Sequence, residues 1–308
     1  MLRFDNRVAV ITGAGRGLGR EYAILLASRG AKVVVNDSGG PLSGAGSDAA
    51  PAQEVVDEIR SAGGQAVACA ESVATPAGGQ AIIDCALESF GGLDVLVHNA
   101  GNVRRSALAE MSHDDFQAVL DVHLLGAFHV VRPAFAVMVA AGYGRIVLTS
   151  SIGGLYGNRD VANYAAAKAG TIGLANVAAL EGEPHGIKCN VIVPAAVTRM
   201  AEGLDISAYP PMGPELVAPV VGWLAHESCS ISGEMLVAIA GRVARVVVVE
   251  APGVYRPQWS IEDVAANIEE IRDATKPVVF PVLPNAHAEH IAYSFAAARD
   301  GSRDGGSP

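Results

Sequence analysis

The chain has 308 residues, of which 50% are hydrophobic and 18% are charged, and its formal net charge at pH 7 is −10. A chain of this length and composition is expected to bury a large core, as one large α/β domain or as two smaller domains. Nucleic acids and anionic membranes attract basic surfaces, so the negative charge argues against either as the main partner. An anionic small molecule remains possible, because a local basic patch can lie on an acidic protein.

The four cysteines lie far apart in the sequence, at positions 69, 85, 189 and 229, and form no C-x-x-C pair. Disulfide frameworks and metal sites both need tighter clustering, so we expect reduced, buried thiols and no metal. The first strand-like segment follows the N-terminus directly, and no apolar run approaches the about 18 residues that span a membrane. We therefore expect a soluble, cytoplasmic protein.

Short apolar runs rich in Val and Ile alternate with longer helix-like stretches, as strands buried on both faces do. The predicted strands are 7–12, 31–36, 65–70, 93–98, 144–150, 187–193 and 234–239. The predicted helices are 17–29, 51–61, 76–90, 114–141, 163–182 and 214–226. This alternation predicts an α/β fold: a doubly wound, seven-stranded parallel sheet with helices on both faces.

Three segments depart from this alternation. A Gly/Ser-rich loop at 37–51 follows the second strand, and the proline-containing segment 198–214 follows the sixth, where we expect a flap on the substrate side. Beyond residue 250 the alternation ends. We expect a catalytic domain at 1–250 and an extension at 251–308 with one amphipathic helix at 261–274 and a disordered tail at 300–308.

The segment TGAGRGLG (12–19) ends the first strand and begins the first helix. Its glycines let the backbone bend sharply and approach a pyrophosphate, whose charge is met by the helix N-terminus. Asp37 ends the second strand, where an acid hydrogen-bonds the ribose hydroxyls of an adenine dinucleotide. No Lys-Ser/Thr pair follows the glycines, which argues against a nucleoside-triphosphate loop. We expect the cofactor to contact Gly13, Arg16, Gly17, Leu18, Gly19 and Asp37.

Asp37 and Arg16 make opposite predictions about the cofactor. A carboxylate at the ribose repels the 2′-phosphate of NADP, whereas a guanidinium in the loop could bind that phosphate. We give more weight to Asp37, because it costs NADP both charge repulsion and space. The sequence therefore predicts NAD.

The segment NYAAAKAG (163–170) holds Tyr164 and Lys168 four residues apart, on one face of an alanine-rich helix. Ser151 ends the fifth strand, at the edge of the sheet where ligands bind. Tyrosine is a poor base because its pKa is about 10, but nearby positive charge stabilises the phenolate. Lowering that pKa by about 3 units requires about 4 kcal/mol. A solvated Tyr and Lys pair is the structural alternative, and Ser151 and the glycine loop argue against it.

The segments TGAGRGLG and HNAG (98–101), Ser151 and YAAAK resemble the short-chain dehydrogenase/reductase family over about residues 5–240. The resemblance implies a Rossmann-type enzyme in which Tyr164 is the acid/base and Ser151 binds the substrate oxygen. Lys168 would bind the nicotinamide ribose and lower the pKa of Tyr164. Within the family, further stretches such as VVVNDSGG and DVHLLGAF resemble (3R)-hydroxyacyl-CoA and 17β-hydroxysteroid dehydrogenases. The resemblance implies further cofactor contacts at Ser72, Val73, Asn99, Ala100, Gly101, Tyr164, Lys168, Pro194 and Val197.

The chain departs from the family pattern at several positions. His123 occupies the place of a catalytic Asn, and we expect either a role in proton transfer or a packing role for it. His98 replaces the first Asn of the family's N-N-A-G. The family's P-G-x-x-x-T becomes PAAVTR (194–199) here, and we expect the Val197 backbone to bind the nicotinamide amide.

We expect an apolar alcohol or ketone substrate, either a 3-hydroxyacyl-CoA or a 17β-hydroxysteroid. CoA would require basic residues at the mouth of the site. A non-catalytic, NAD-binding regulator or scaffold is the alternative from another class, and the intact Ser, Tyr and Lys argue against it. Small-residue faces on the helices at 114–141 and 163–182 favour a homodimer or homotetramer. The candidates for a CoA contact are Arg104, Arg105, Arg159 and Arg199.

Overall fold

A computed structural model describes residues 1–40, 48–197 and 209–304. These residues form one eight-stranded sheet, whose strands are rich in Val, Ile and Ala. The strands are β1 Val8–Thr12, β2 Lys32–Asn36, β3 Gln65–Cys69, β4 Val95–His98, β5 Gly144–Thr149, β6 Ile187–Ala195, β7 Met235–Ile239 and β8 Arg242–Val246.

The order of the strands across the sheet is β3-β2-β1-β4-β5-β6-β7-β8, and the pairs from β3 to β7 are parallel. The chain therefore winds outward in one direction from β1 and then in the other from β4. This arrangement confirms the predicted doubly wound α/β fold. In such sheets the crevice where the winding reverses, outside the carboxyl ends of β1 and β4, is the usual ligand site.

Helices cover both faces of the sheet. On β1, Ala9 and Ile11 belong to a core that also contains Tyr22 and Leu224, whereas Val10 between them faces the other side. The helices of the sheet domain are α1 Gly17–Ser28, α2 Ala50–Ser61, α3 Pro76–Phe90, α4 His113–Leu120, α5 Gly126–Ala141, α6 Ile152–Tyr156, α7 Ala162–Gly182 and α8 Ala218–Ala225. Helices α1, α2 and α8 pack on the first face, and α3, α5 and α7 pack on the second.

The eighth strand was not predicted. A two-residue turn, Ala240-Gly241, connects β7 to β8, and both residues have positive φ values of 50° and 79°. Positive φ at both central positions is the geometry of a tight hairpin, so β8 runs antiparallel to β7 at the edge of the sheet. The run RVARV is mostly exposed, and it was missed because an exposed edge strand lacks the continuous apolar pattern of the buried ones.

The helix predicted at 114–141 is a continuous helical stretch with a π-helical turn at Asp121–Leu125 between α4 and α5. By length and composition this 29-residue stretch could cross a membrane, with a mean hydropathy of 1.7 over its most apolar window. In this fold it packs against α3 and α7, as core helices of α/β domains do.

The chain divides into two compact units, Met1–Arg245 and Val246–Pro308. In the second unit the helix predicted at 261–274 is divided at Asn267 into α9 Ile261–Ala266 and α10 Ile268–Ile271. A further helix, α11 Ala286–Asp304, was not predicted and includes the first five residues of the segment that we expected to be disordered. Its Gly and Arg content at 300–304 hid the helical pattern. Parts of the expected loop and flap, 41–47 and 198–208, lie outside the described residues.

Glycine 19 provides a test of how tightly the first loop packs. A Cβ atom on Gly19 would lie 2.2 Å from the carbonyl oxygen of Gly13, whereas a Cβ on Gly173, in the middle of α7, would meet nothing within 4 Å. We predict that Gly19→Ala lowers the free energy of unfolding by about 1–3 kcal/mol, because the loop must move. The matched Gly173→Ala should raise it by about 0.5–1 kcal/mol. Urea denaturation measures both, and equal stabilisation by both variants would contradict the packing described.

Candidate active site

A cleft with a volume of about 360 Å³ opens at the carboxyl ends of the strands, beside β1 and β4. We call it the strand-end cleft. Most of the predicted site residues line it, although they come from parts of the chain that are far apart in sequence. They are Gly13, Arg16, Gly17, Leu18, Asp37, Ser72, Val73, Asn99, Ala100, Gly101, His123, Tyr164, Lys168 and Pro194.

Three predicted residues lie outside the cleft. Gly19 packs beneath the loop, against Gly13 and Asn99, so its role is close packing. Val197 donates its N–H to the carbonyl oxygen of Met212 at 2.7 Å, and its neighbours Ala195 and Ala196 line the cleft instead. Ser151 lines a second cavity, described below.

Several residues of the cleft were not predicted. Most are neighbours of predicted positions in the sequence. They could have been predicted from their position at or just after the end of a strand, where the chain leaves the sheet at its ligand-binding edge. They are Asn36, Ser38, Gly40, Glu71, Ala74, Asn102, Val122, Thr149, Ser150, Ala195 and Ala196.

The glycine loop and the start of α1 fit the pyrophosphate of a dinucleotide. Gly13 and Gly17 have φ values of 65° and 55°, which favour glycine. A Cβ on Gly13 would lie 2.7 Å from the Cα of Ala100, so a side chain there would fill the narrow space between the two loops. The N-cap of α1, Arg16, makes no side-chain capping bond, and the first turn contains no acidic residue. The helix therefore presents N–H groups and its positive end to an anion in the cleft.

The Asp37 carboxylate is held by backbone donors. The Gly15 N–H donates to one oxygen at 2.9 Å, and the Gly39 N–H donates to the other at 2.7 Å. A Cβ on Gly15 would lie 2.8 Å from that carboxylate, so the loop approaches it closely. Each carboxylate oxygen can accept a further hydrogen bond, and Asp37 could therefore bind ribose hydroxyls of an adenosine.

The Thr12 hydroxyl connects the ends of β1 and β4. It accepts hydrogen bonds from the N–H groups of Asn99 and Ala100, both at 3.1 Å, and lies 3.0 Å from Nδ1 of His98. With two donors already on its oxygen, the hydroxyl donates to Nδ1, so the proton of His98 is on Nε2. Burial, with the nearby Lys168 charge, lowers the pKa of His98 to about 3. His98 is therefore a buried neutral residue that joins two strands.

His123 lies in the π-helical turn, a geometry that often accompanies functional sites. Its Nε2 is 2.8 Å from the carbonyl oxygen of Asn102, and its ring contacts the Tyr164 ring edge-on with centroids 5.1 Å apart. Burial, followed by the Lys168 charge, holds the pKa of His123 well below its usual value. His123 is therefore a buried, neutral imidazole in contact with the Tyr164 ring, and its role in proton transfer or in packing stays a prediction.

Lys168 is fully buried beneath the cleft. Its ammonium donates a hydrogen bond to the carbonyl oxygen of Thr149 at 2.5 Å and lies 5.7 Å from the centre of the Tyr164 ring. Burial lowers the pKa of Lys168 from 10.5 to about 7. The lysine therefore titrates near neutral pH in the protein alone, and an anionic or hydroxyl-rich ligand in the cleft would favour its charged form.

The second cavity, of about 420 Å³, is lined by Ser151 and Tyr164 and by the apolar side chains of Val103, Ile152 and Val161. We call it the apolar cavity. Ser151 is the N-cap of α6, and its Oγ accepts a hydrogen bond from the Gly153 N–H at 3.1 Å. The Ser151 hydroxyl also forms a hydrogen bond with the Tyr164 phenol, so the two hydroxyls face the same part of the cavity. Tyr164 lines both cavities, so its side chain is the point at which they meet.

Burial and two neighbouring side chains act on the pKa of the Tyr164 phenol. Burial raises its pKa, while a hydrogen bond with Ser151 and the charge of Arg105 lower it. The Lys168 ammonium donates to the Thr149 carbonyl and lies 5.7 Å from the centre of the Tyr164 ring, and its effect on the phenol together with an oxidised cofactor stays a prediction. In the protein alone, Tyr164 is therefore a protonated phenol and a hydrogen-bond donor at neutral pH.

Asn163, next to the tyrosine, fixes the start of α7. Its Nδ2 donates to the carbonyl oxygens of Arg104 at 3.1 Å and Asp115 at 3.0 Å, and its Oδ1 accepts from the Tyr164 N–H at 2.7 Å. The residue is completely buried and satisfies one of the free N–H groups of the helix start. Asn163 thus holds Tyr164 relative to the loop after β4, a positioning role that the sequence analysis missed.

The buried ammonium makes the stability of the protein depend on pH. The pKa of Lys168 is lower in the folded than in the unfolded state, so the unfolded chain holds one more proton between about pH 7 and 10.5, and stability rises with pH there. We predict that wild type gains up to about 1.4 kcal/mol per pH unit relative to Lys168→Met in this range. Urea unfolding of both proteins without cofactor measures the difference, and a constant difference would show that the lysine stays charged when folded.

Comparisons with known proteins show the family of this chain. A profile of the short chain dehydrogenase family matches residues 7–205. Peroxisomal multifunctional enzyme type 2 of Drosophila melanogaster is 50% identical over 275 residues, which cover 88% of this chain and 45% of that protein. The chain thus spans less than half the length of that relative. A 3-oxoacyl-(acyl-carrier-protein) reductase of Synechocystis is 36% identical over 235 residues, 74% of this chain and 92% of that protein.

Solved structures show the same fold. The full-length Drosophila enzyme superposes with a TM-score of 0.80 at 40% identity, over 97% of this chain and 50% of that chain. A short chain dehydrogenase from Mycobacterium avium superposes with a TM-score of 0.77 at 38% identity, over 87% of this chain and 95% of that chain. The resemblance inferred from the motifs is confirmed, and the chain belongs to the short-chain dehydrogenase family of oxidoreductases.

Proposed function

We propose that this oxidoreductase uses NAD to oxidise a secondary alcohol reversibly, and that the alcohol is the 3-hydroxyl of an acyl-CoA. The observation that carries the proposal is the position of Tyr164. Its ring lines both the strand-end cleft, which fits a dinucleotide, and the apolar cavity, which also presents the Ser151 hydroxyl. A phenol shared by the two cavities can exchange a proton with a substrate in one while hydride passes to a cofactor in the other.

NAD is supported by the surroundings of Asp37. Its carboxylate lies in the cleft where an adenosine ribose would bind, and backbone donors from Gly15 and Gly39 hold it in place. A fixed negative charge disfavours a 2′-phosphate. Arg16 also lines the cleft, but as the N-cap of α1 it lies at the pyrophosphate end.

Different residues of the chain would bind the substrate, exchange its proton and position the phenol. NAD held in the strand-end cleft would supply the hydride acceptor. The Ser151 hydroxyl donates to the substrate oxygen, since its own oxygen already accepts from Gly153. Tyr164 Oη exchanges the substrate's hydroxyl proton, accepting it during oxidation and donating it during reduction. Lys168, beneath the cleft, would bind the nicotinamide ribose, and Asn163 and His123 hold the phenol in position.

An acyl-CoA is the substrate that the chemistry and the relatives favour. The walls of the apolar cavity suit a hydrocarbon chain, and the name of the Synechocystis relative specifies a 3-oxoacyl substrate. A 17β-hydroxysteroid fits an apolar wall equally well but has no such relative among those described above. A purely NAD-binding regulator would not need Ser151, Tyr164 and Lys168 together.

We also propose a homo-oligomer, on the small-residue faces of α5 and α7. A cytoplasmic location remains a prediction from the sequence, and the Drosophila relative is named as a peroxisomal enzyme.

The main test is turnover. We predict that the purified protein reduces NAD with (3R)-hydroxyacyl-CoA and that Tyr164→Phe lowers kcat by at least about 10³-fold, because the proton exchange is lost. The cofactor affinity should change less than about threefold, since the phenyl ring still lines the cleft. Absorbance at 340 nm measures turnover, and calorimetry measures NAD binding. Retained turnover in Tyr164→Phe would refute the assignment, and NAD binding without turnover of acyl-CoA, steroid or simple alcohols would favour the regulator.

The cofactor preference has its own prediction. Asp37→Ser removes the charge that opposes a 2′-phosphate, so kcat/KM with NADP should rise by about 10-fold or more relative to NAD. Gly15 and Gly39 lose an acceptor in this variant, and a thermal melt controls for the loss. A wild type that prefers NADP would overturn the assignment of Asp37.

A further inference from the structure

The arginines expected near the site have different surroundings. Arg104 forms an ion pair with Asp115 at 2.8 Å. Arg159 is exposed and does not line the apolar cavity, and Arg199 lies outside the described residues. Arg105 lines the apolar cavity together with Ser151 and Tyr164, and the ion pairs found among the described residues do not include it.

The backbone around Arg105 is fixed on both sides to the helix that carries Tyr164. On one side, the Arg104 carbonyl accepts a hydrogen bond from the Asn163 side chain at 3.1 Å. On the other, the Ser106 N–H donates to the Asp160 carbonyl at 3.0 Å, and Ser106 pairs with Val161 in a parallel bridge. The backbone of Arg105 is thus fixed beside the start of α7, and its exposed side chain extends from that position.

The remaining lining of the cavity lacks a formal charge. Among the described residues that line it, Arg105 alone is ionised, and the others are apolar, glycine, hydroxyl or amide residues. A guanidinium binds an oxygen acceptor strongly where water is partly excluded, and it gains nothing from a pure hydrocarbon. Arg105 and Tyr164 line the same cavity, so an acyl group bound there lies beside both side chains. The nucleotide phosphates of a CoA ester would lie at the far end of the pantetheine arm, away from the acyl group that enters the cavity.

We propose that Arg105 determines substrate specificity by donating hydrogen bonds to the thioester carbonyl oxygen of a 3-hydroxyacyl substrate. This inference rests on the proposed function. The carbonyl carbon is two bonds from the carbinol carbon that faces Ser151 and Tyr164, so one short acyl segment connects the three groups. A steroid with its hydroxyl at the same place carries no oxygen at that separation, and the guanidinium would then face hydrocarbon.

The experiment compares three substrates that differ in one feature each. They are a 3-hydroxyacyl-CoA, the same acyl group on N-acetylcysteamine, and the N-acetylcysteamine thioether in which a methylene replaces the carbonyl. The variants are Arg105→Gln, Arg105→Lys and the control Arg159→Gln. Each protein is assayed for kcat/KM with NAD, or for the inhibition constant of the thioether where its turnover is too slow to measure. Thermal melting and NAD affinity confirm that each variant is folded.

We expect Arg105→Gln to lower kcat/KM about 10- to 100-fold with both thioesters, the loss of one charge-assisted hydrogen bond. The kcat/KM of wild type with the thioether should be as low as that of Arg105→Gln with the thioester. The Arg105→Gln substitution should change kcat/KM with the thioether less than about threefold. Arg105→Lys should retain part of the activity, and Arg159→Gln should match wild type.

Three results would overturn the inference. An equal loss with thioester and thioether would mean that Arg105 acts through Tyr164 alone, and a loss confined to the CoA ester would mean that it binds phosphate. No loss with any substrate would exclude a role. A wild type that oxidises steroids but neither thioester would contradict the proposed function itself. That result is distinguishable from a failure of this inference, because it is seen without any Arg105 variant.

Discussion

The parallel register of the sheet is the constraint on which the site depends. Thr12, at the end of β1, is level with Asn36 at the end of β2 and with His98 at the end of β4. Because parallel strands end at one edge, the loops that follow them lie close together although they are far apart in the sequence. The Thr12 hydroxyl then connects this edge to the loop after β4 through three polar contacts. A slip of one residue would turn every buried side chain of a strand to the opposite face and separate the cleft's residues.

The same edge contains an unusual number of buried polar groups. Lys168, His98 and His123 are each nearly inaccessible, and burial shifts all three toward their neutral forms. His98 and His123 each have a ring nitrogen without a partner among the described residues. Unpaired buried polar atoms are costly, so the fold accepts a loss of stability here that the apolar strands must offset. Such a site can bind a polar ligand without first breaking many internal hydrogen bonds.

Much of this architecture follows from local sequence signals. The strand and helix alternation predicts the doubly wound sheet, because fully buried strands are continuously apolar and cannot be mistaken for surface. The glycine loop, Asp37, Tyr164 and Lys168 are recognisable because their spacing places them at strand ends or on one helix face. The edge strand β8 and the helix α11 were missed, since neither carries a strong apolar periodicity. Asn163 and the second cavity depend on contacts between residues far apart in sequence, and no local pattern reports those.

The anchoring of Asn163 has an evolutionary consequence. Its side chain joins the loop after β4 to the helix that carries Tyr164, so an insertion between residues 102 and 106 would displace the tyrosine along with the loop. Beyond that point the chain is exposed, with Leu108 largely accessible to solvent. The exposed turn at 107–110 lies between the two anchored carbonyls of Arg104 and Asp115, so a change in length would disturb the start of α7 less there than in the segment before it.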